Sequence, residues 1–222
     1  MRSPSQCHSP VCRHCVAPGL SLEDCQIGEP ADAGQAARRV GPIEPSDATS
    51  ALDRTPASGP TNDEPFTLRP LRPGDLGWVI MRHGELYYAS HEWNVEFEAL
   101  VARIASDFVE DFDPAFARSW IAEKNGERVG SVFLTRKSDV TAQLRMLIVE
   151  PSARGLGLGR RLVAECVGAA RELGYQRIGL FTSRGLDSAR RLYEVEGLRL
   201  VSEKEEDVWG RTHVAQWWEL DL

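Results

Sequence analysis

Val149-Glu150-Pro151-Ser152-Ala153-Arg154-Gly155-Leu156-Gly157-Leu158-Gly159-Arg160-Arg161 is the stretch of this chain whose reading decides the fold. It follows an apolar run, residues 144–149, that reads as a buried strand, and Pro151 stops that strand. Gly155, Gly157 and Gly159 alternate with larger residues, so the backbone can approach a ligand without Cβ clashes. An amphipathic helix follows, with Leu162, Val163, Cys166, Val167 and Ala170 at helical spacing. The loop's unpaired amides therefore stand at a helix N-terminus, where the dipole and free N–H groups favour a phosphate. Arg154, Arg160 and Arg161 add positive charge around the same point. Together these features predict a cradle for a phosphorylated ligand.

Spacing narrows the ligand. A Walker A loop requires Gly-Lys-Ser/Thr, whereas Gly159 is followed by Arg160 and Arg161. A dinucleotide fingerprint that opens at Gly155 or at Gly157 needs its last glycine where Arg160 or Leu162 stands. Both readings fail on the residues.

The loop resembles the pyrophosphate loop of the GNAT N-acetyltransferases, whose signature is Gln/Arg-x-x-Gly-x-Gly/Ala. Arg154, Gly157 and Gly159 match it residue for residue, and the preceding Leu-Ile-Val-Glu-Pro looks like the family's fourth strand and its exit. Residues 190–201, RRLYEVEGLRLV, are similar to the helix and strand that carry the family's tyrosine and its Gly-Phe/Leu pair. The resemblance covers residues 66–222. It looks closest to acetyltransferase domains fused behind winged-helix regulators of the multiple-antibiotic-resistance type, although no such regulator is seen in this sequence.

Several expectations follow from the resemblance. The fold is α/β, a mixed and mostly antiparallel central sheet flanked by about four helices and preceded by a disordered tail. The activity is direct transfer of an acetyl group from acetyl-CoA to a primary amine of a small molecule or a protein. Backbone amides of Leu147, Ile148 and Val149 meet the pantetheine and the acetyl carbonyl. Arg154, Gly155, Leu156, Gly157, Leu158, Gly159 and Arg160 hold the pyrophosphate. Ser183 stands where many relatives place an asparagine that contacts the pantetheine. Tyr193 matches the tyrosine that protonates the departing thiolate; a phenol near pKa ~10 is a fair acid for a thiolate of similar basicity. The fourth and fifth strands splay apart to admit the cofactor arm.

The base is left open by the sequence. Some relatives carry a glutamate on the fourth strand where this chain has Gln143, which cannot take a proton. Glu150, Glu85, Glu92 and His83 remain as candidates beside a water relay. Arg184 reads as solvated. Tyr87, Tyr88, Trp93 and Phe97 cluster in the first helical region as packing or as an acceptor platform, and Trp217 and Trp218 point to opposite faces of the last strand. A non-catalytic acyl-CoA sensor is the alternative that Gln143 leaves open. A third alternative is a fragment of a transcriptional regulator, but its tail lacks a basic helix for DNA.

Composition divides the chain. It has 222 residues, 42% hydrophobic, enough for one good core. Residues 1–64 hold no aromatic residue and are rich in Pro, Ser, Ala, Gly and Asp, so they cannot offset their ordering entropy by burial. The expected division is a low-complexity tail over 1–64 and one domain over 65–222. Of the net charge of −7, −4 falls in residues 1–64 (five arginines against nine acidic residues) and −3 in the rest. No basic face dominates, which argues against nucleic acid as partner. With no long apolar run and no apolar leader, neither a membrane span nor secretion is expected, and the cytoplasm is the default for a monomer or homodimer. Cys7, Cys12, Cys15 and Cys25, with His8 and His14, offer half a zinc motif at Cys12-x-x-Cys15. The CxxC spacing does not repeat and nothing apolar supports a metal-nucleated fold, so no metal is expected.

The expected order is β-α-α-β-β-β-α-β-α-β-β. A first strand spans 66–71, and a helix capped by Asp75 is loosened at His83-Gly84. A second helix is capped by Asn94. Strands over 119–124 and 128–135 join through Asn125-Gly126, the strongest hairpin signal in the chain. A strand over 141–150 leads into the glycine loop and its helix. Then come a strand over 177–182, a helix from Asp187 to about Glu196 ended by Gly197, and strands over 198–203 and 214–220 around a charged turn.

Overall fold

The computed structural model describes residues 65–222. The expectations for the tail over 1–64, its disorder and its cysteines, lie outside the described residues. The elements are β1 (Thr67–Arg69), α1 (Asp75–His91), α2 (Val95–Glu110), β2 (Arg118–Lys124), β3 (Glu127–Arg136) and β4 (Thr141–Val149). After a single 3-10 turn at Pro151–Ala153 come α3 (Leu158–Glu172), β5 (Arg177–Ser183), α4 (Asp187–Val195), β6 (Arg199–Val208) and β7 (Arg211–Asp221). Their order is the expected one.

The seven strands form one sheet in the order β1-β2-β3-β4-β5-β7-β6. Every neighbouring pair is antiparallel except β4 and β5. Both faces of the central strands are covered, so these strands read as nearly continuous apolar runs whose alternate residues go to opposite cores. Trp120, Val132, Leu134, Ala142, Leu144, Leu180 and Trp218 meet α3 and α4 on one face. Ile121, Phe133 and Met146 meet α1 and α2 on the other. Close approach on the first face depends on small residues. A Cβ at Gly130 would lie 2.9 Å from the Ile148 carbonyl oxygen and 3.2 Å from Leu158, and one at Gly159 would lie 2.9 Å from Leu192. Glycine at these two points lets α3 press onto β3 and α4 onto α3.

Local signals set the turns. Asn125 and Gly126 both have positive φ, 53° and 79°, the primed-turn geometry that matches strand twist. Asn94 caps α2, its side chain accepting the Glu96 N–H at 2.9 Å, and Gly197 ends α4 at φ 89°.

Four expectations need correction. Asp75 is not the cap of α1; Gly74 holds that position at φ 91°, and Asp75 opens the helix with its carboxylate fully buried. That carboxylate accepts from Arg69 at 2.6 and 3.1 Å, from Arg128 Nε at 2.7 Å and from the Arg72 N–H at 2.6 Å. It thus ties α1 to β1 and β3. Likewise Leu186, not Asp187, precedes the first residue of α4; Asp187 pairs with Arg190 one turn on. The helix is not loosened at His83-Gly84, because Gly84 is where α1 leans on Glu98 of α2. Finally, β6 and β7 run well beyond the expected ends and turn at Trp209-Gly210, φ 56° and 80°. Their outer halves carry Glu203, Lys204, Glu205 and Asp207, an exposed edge with no apolar alternation to announce it. Among the described residues no helix is long and apolar enough to cross a membrane.

Candidate active site

β4 and β5 run side by side only over Thr141↔Arg177, Ala142↔Ile178 and Gln143↔Gly179. Beyond Gln143 they diverge, and β5 stays with β7 on its far side through Ser183. A fork therefore opens between residues 144–149 and 180–183, with backbone groups of β4 no longer paired to β5.

The fork has a second irregularity. Between the pairs Phe133↔Arg145 and Ser131↔Ile148, β4 carries one residue more than β3. Met146 takes φ 48°, unusual for a side chain larger than glycine, and forms a bulge. The buried Ser131 hydroxyl donates to the Met146 carbonyl at 2.8 Å and pins it. The extra residue breaks the period of two. Leu144 faces the α3 side, Met146 joins the α1–α2 core, and Leu147 packs again on the α3 side. Nothing in the local sequence marks either Ser131 or Met146.

At the top of β4 the Glu150 N–H donates to the Val129 carbonyl, and the 3-10 turn hands the chain to the glycine loop. Gly155 and Gly157 have φ 78° and 80°, and a Cβ at either would meet nothing within 4 Å. The left-handed backbone, not crowding, demands glycine there, and the space in front is open. Gly157 is the residue before α3, whose first amides have no intrahelical partner; the Arg161 N–H is the one that closes back on the Gly157 carbonyl. The Leu158 side chain is core, so only its amide faces the loop. Leu147 and Val149 are likewise packed against the core through their side chains, and Ile148 is buried.

Of the three arginines, Arg160 lies 3.3 Å from Glu196 and Arg161 2.7 Å from Glu165. Arg154 has no ion pair among the described residues and stands within electrostatic reach of the Tyr87 phenol. The loop thus combines open amides with one uncommitted cation.

Tyr193 projects from α4 into the α3-side core, its ring 6.3 Å from that of Trp218 and the residue only 5% exposed. Its hydroxyl makes no hydrogen bond among the described residues. Burial raises its pKa, with Tyr87 and Cys166 adding to the effect, so the phenol keeps its proton. Tyr87 reaches toward the same point from α1. Its ring stacks on Trp93 at 4.9 Å and lies 4.9 Å from Phe97, which in turn pack against Trp209 of the β6–β7 turn. Trp93 and Phe97 are buried packing; Tyr88 is exposed.

Every carboxylate proposed as base is otherwise engaged. Arg82 grips Glu150 through both oxygens, at 2.5 and 2.8 Å, and also holds Glu85. Glu92 pairs with Arg211. His83 is buried, its Nδ1–H donating to the Val79 carbonyl at 2.8 Å, and burial lowers its pKa to about 4. Ser183 is buried, and its hydroxyl donates to the Val214 carbonyl at 3.4 Å rather than into the fork. Arg184 pairs with Glu203 at 2.5 Å. Trp217 and Trp218 do face opposite sides, with Trp218 in the α3-side core. Trp217 lies across Gly179, where a Cβ would come within 2.2 Å of the indole.

The described residues thus build a seven-stranded sheet with one parallel pair, forked at that pair and closed by a glycine loop at a helix N-terminus, the architecture shared with solved acetyltransferases. The acetyltransferase (GNAT) family model matches residues 77–197, and the chain belongs to that family. A mycothiol acetyltransferase of Thermomonospora curvata is 30% identical over 150 residues, 66% of this chain and 48% of that protein. The chain thus spans about half the length of this curated relative. Among solved structures, the yncA acetyltransferase of Salmonella typhimurium with its cofactor acetyl-CoA superposes with a TM-score of 0.55 at 21% identity, covering 72% of this chain and 95% of that one. Spermidine N-acetyltransferase of Vibrio cholerae, in complex with CoA and spermine, gives 0.56 at 21% identity, covering 71% and 95%.

Proposed function

We propose that this protein is an acetyl-CoA-dependent N-acetyltransferase that moves an acetyl group directly to a primary amine. The fork between β4 and β5, ending at the open amides of Gly155–Leu158, carries the proposal. The amides and Arg154 suit a pyrophosphate, and the fork admits an extended arm toward the bulge at Met146. Acetyl-CoA brings the activated thioester carbonyl. In the proposed reaction the amine nitrogen attacks that carbonyl, the C–S bond breaks, and its electron pair leaves with sulfur. Amides at Leu147–Val149 polarise the carbonyl oxygen. The Tyr193 hydroxyl, held protonated by burial and without a partner among the described residues, gives its proton to the thiolate and takes one back from water, so the proton released by the amine balances the one carried off by the thiol. With Glu150, Glu85 and Glu92 in ion pairs and His83 buried, the proton lost by the amine passes to water. A cytoplasmic monomer or homodimer acting without nucleic acid is part of the same proposal. The non-catalytic sensor is disfavoured, since the relatives and neighbours described above are named as acetyltransferases.

Calorimetric titration with acetyl-CoA, together with thiol release across a panel of amines, tests this. Gly157→Val forces a β-branched residue into the left-handed region, at about 1–2 kcal/mol. Affinity is expected to fall about tenfold or more while unfolding stays cooperative. Unchanged affinity places the cofactor elsewhere, and binding with no amine-dependent turnover removes the transferase.

A further inference from the structure

Where β4 and β5 part, three polar side chains gather on the face that α1 and α2 leave partly open. Gln143 and Arg145 alternate on β4 and so share that face with Phe133, the partner of Arg145, and with Gly179 and Phe181 on β5. Lys137 comes from the β3–β4 turn, its ammonium 4.8 Å from the centre of the Trp217 ring and 5.8 Å from that of Phe181.

Partners are missing here. Gln143 is 7% exposed, yet its side-chain amide makes no hydrogen bond among the described residues. Arg145 is half-buried and has neither an ion pair nor a hydrogen bond among the described residues. The other arginines that the fold draws out of full exposure are Arg69, Arg82, Arg118, Arg128, Arg161 and Arg190, and each is matched with a carboxylate or a carbonyl. Arg145 differs from all of them. Asp107 of α2 lies within its electrostatic reach without pairing, and Glu219 stands likewise to Lys137 while accepting the Trp217 Nε1–H at 2.7 Å. Arg145 and Lys137 also feel each other's charge.

A half-buried guanidinium without an acceptor is costly, and a carboxylate can answer it with two parallel hydrogen bonds. The Gln143 amide can donate to the same group. Phe181, 40% exposed, offers an apolar wall beside it. Arg145 immediately precedes Met146, the bulge toward which the cofactor arm is proposed to extend, and lies close in sequence to the amides proposed to meet the acetyl carbonyl. We propose that this fork holds a carboxylate of the acceptor, so that the amine acetylated here is an amino acid or another small amine bearing a carboxylate. The inference rests on the N-acetyltransferase proposal above.

The test uses the full chain, acetyl-CoA and paired acceptors: α-, β- and γ-amino acids, each beside its carboxamide. The acids are expected to exceed their amides about 10- to 100-fold in kcat/KM, the span of one charge-assisted pair. The three amine-to-carboxylate spacings report which length fits the distance from Arg145 to the reacting carbonyl. Arg145→Gln is expected to erase the preference through KM, with turnover of the amides and affinity for acetyl-CoA unchanged; Arg145→Lys recovers part of it. Equal rates for acids and amides overturn the subsite while leaving the transferase intact, as does a preference that survives Arg145→Gln. Bound acetyl-CoA with no amine acetylated, charged or neutral, overturns both.

Discussion

Tyr193→Phe separates chemistry from packing at the one side chain where the two compete. The ring is core, and phenylalanine keeps every contact it makes, including the approach to Trp218. The hydroxyl has no hydrogen bond among the described residues to lose. Removing a bonded hydroxyl would cost about 1 kcal/mol, whereas removing an unbonded one in a desolvated place is neutral or favourable by up to about 1 kcal/mol. Tyr193→Ala, by contrast, opens a cavity and is expected to cost about 3–5 kcal/mol. If the phenol is the acid, the phenylalanine variant loses about 10²–10⁴ in kcat, equivalent to raising the barrier by about 3–5 kcal/mol. Affinity for acetyl-CoA is expected to be unchanged, because the lost interaction exists only as the thiolate forms. Urea unfolding followed by circular dichroism measures the first quantity, thiol release at saturating amine the second, and calorimetry the third. A kcat within about threefold of wild type refutes the acid role. A loss of stability of about 1 kcal/mol or more refutes the claim that the hydroxyl is structurally idle.

Two further outcomes follow from buried charge. His83 has a folded pKa of about 4 against about 6.5 when exposed, so the unfolded chain takes up the proton first. Its contribution is intact above pH 6.5, falls as pH drops below 6.5, and is fully lost near pH 4, about 3 kcal/mol in all. His83→Asn keeps a donor toward the Val79 carbonyl. Its urea-unfolding free energy is expected to fall less than that of wild type between pH 6.5 and 5, by about 2 kcal/mol; parallel profiles would show that His83 is not buried neutral. Asp75→Ala removes the acceptor shared by Arg69 and Arg128 and leaves the Arg69 charge mostly buried beside Glu123 alone. About 3–5 kcal/mol of stability is expected to go, by thermal or urea unfolding. A loss under about 1 kcal/mol would mean that the buried cluster is replaceable.

What the sequence by itself determined is what short-range physics encodes. Gly155 and Gly157 announce a backbone that L-residues avoid, Asn125-Gly126 a primed turn, and Asn94 a helix start, because each acts within a few bonds of itself. Periods of two and 3.6 then supplied the element order and the place of the glycine loop, while Tyr193 was reached through the resemblance. That the single core expected is two, one on each face of the sheet, was decided by the fold. The long edge hairpin escaped because β6 is exposed and charged, so no alternation marks its ends. Tertiary structure decided the state of the polar groups. Glu150 is withdrawn from any basic role by Arg82, 68 residues away, and Asp75 is drawn from a helix cap into a buried cluster by Arg128, 53 residues away. The bulge at Met146 arises from one extra residue against β3, and Ser131, 15 residues away, holds it. That Gln143 and Arg145 lack side-chain partners among the described residues, beside the point where β4 and β5 part, is likewise visible only in the fold. Strand register and the pairing of distant charges depend on which segments lie side by side, and periodicity within a segment carries no record of its neighbour.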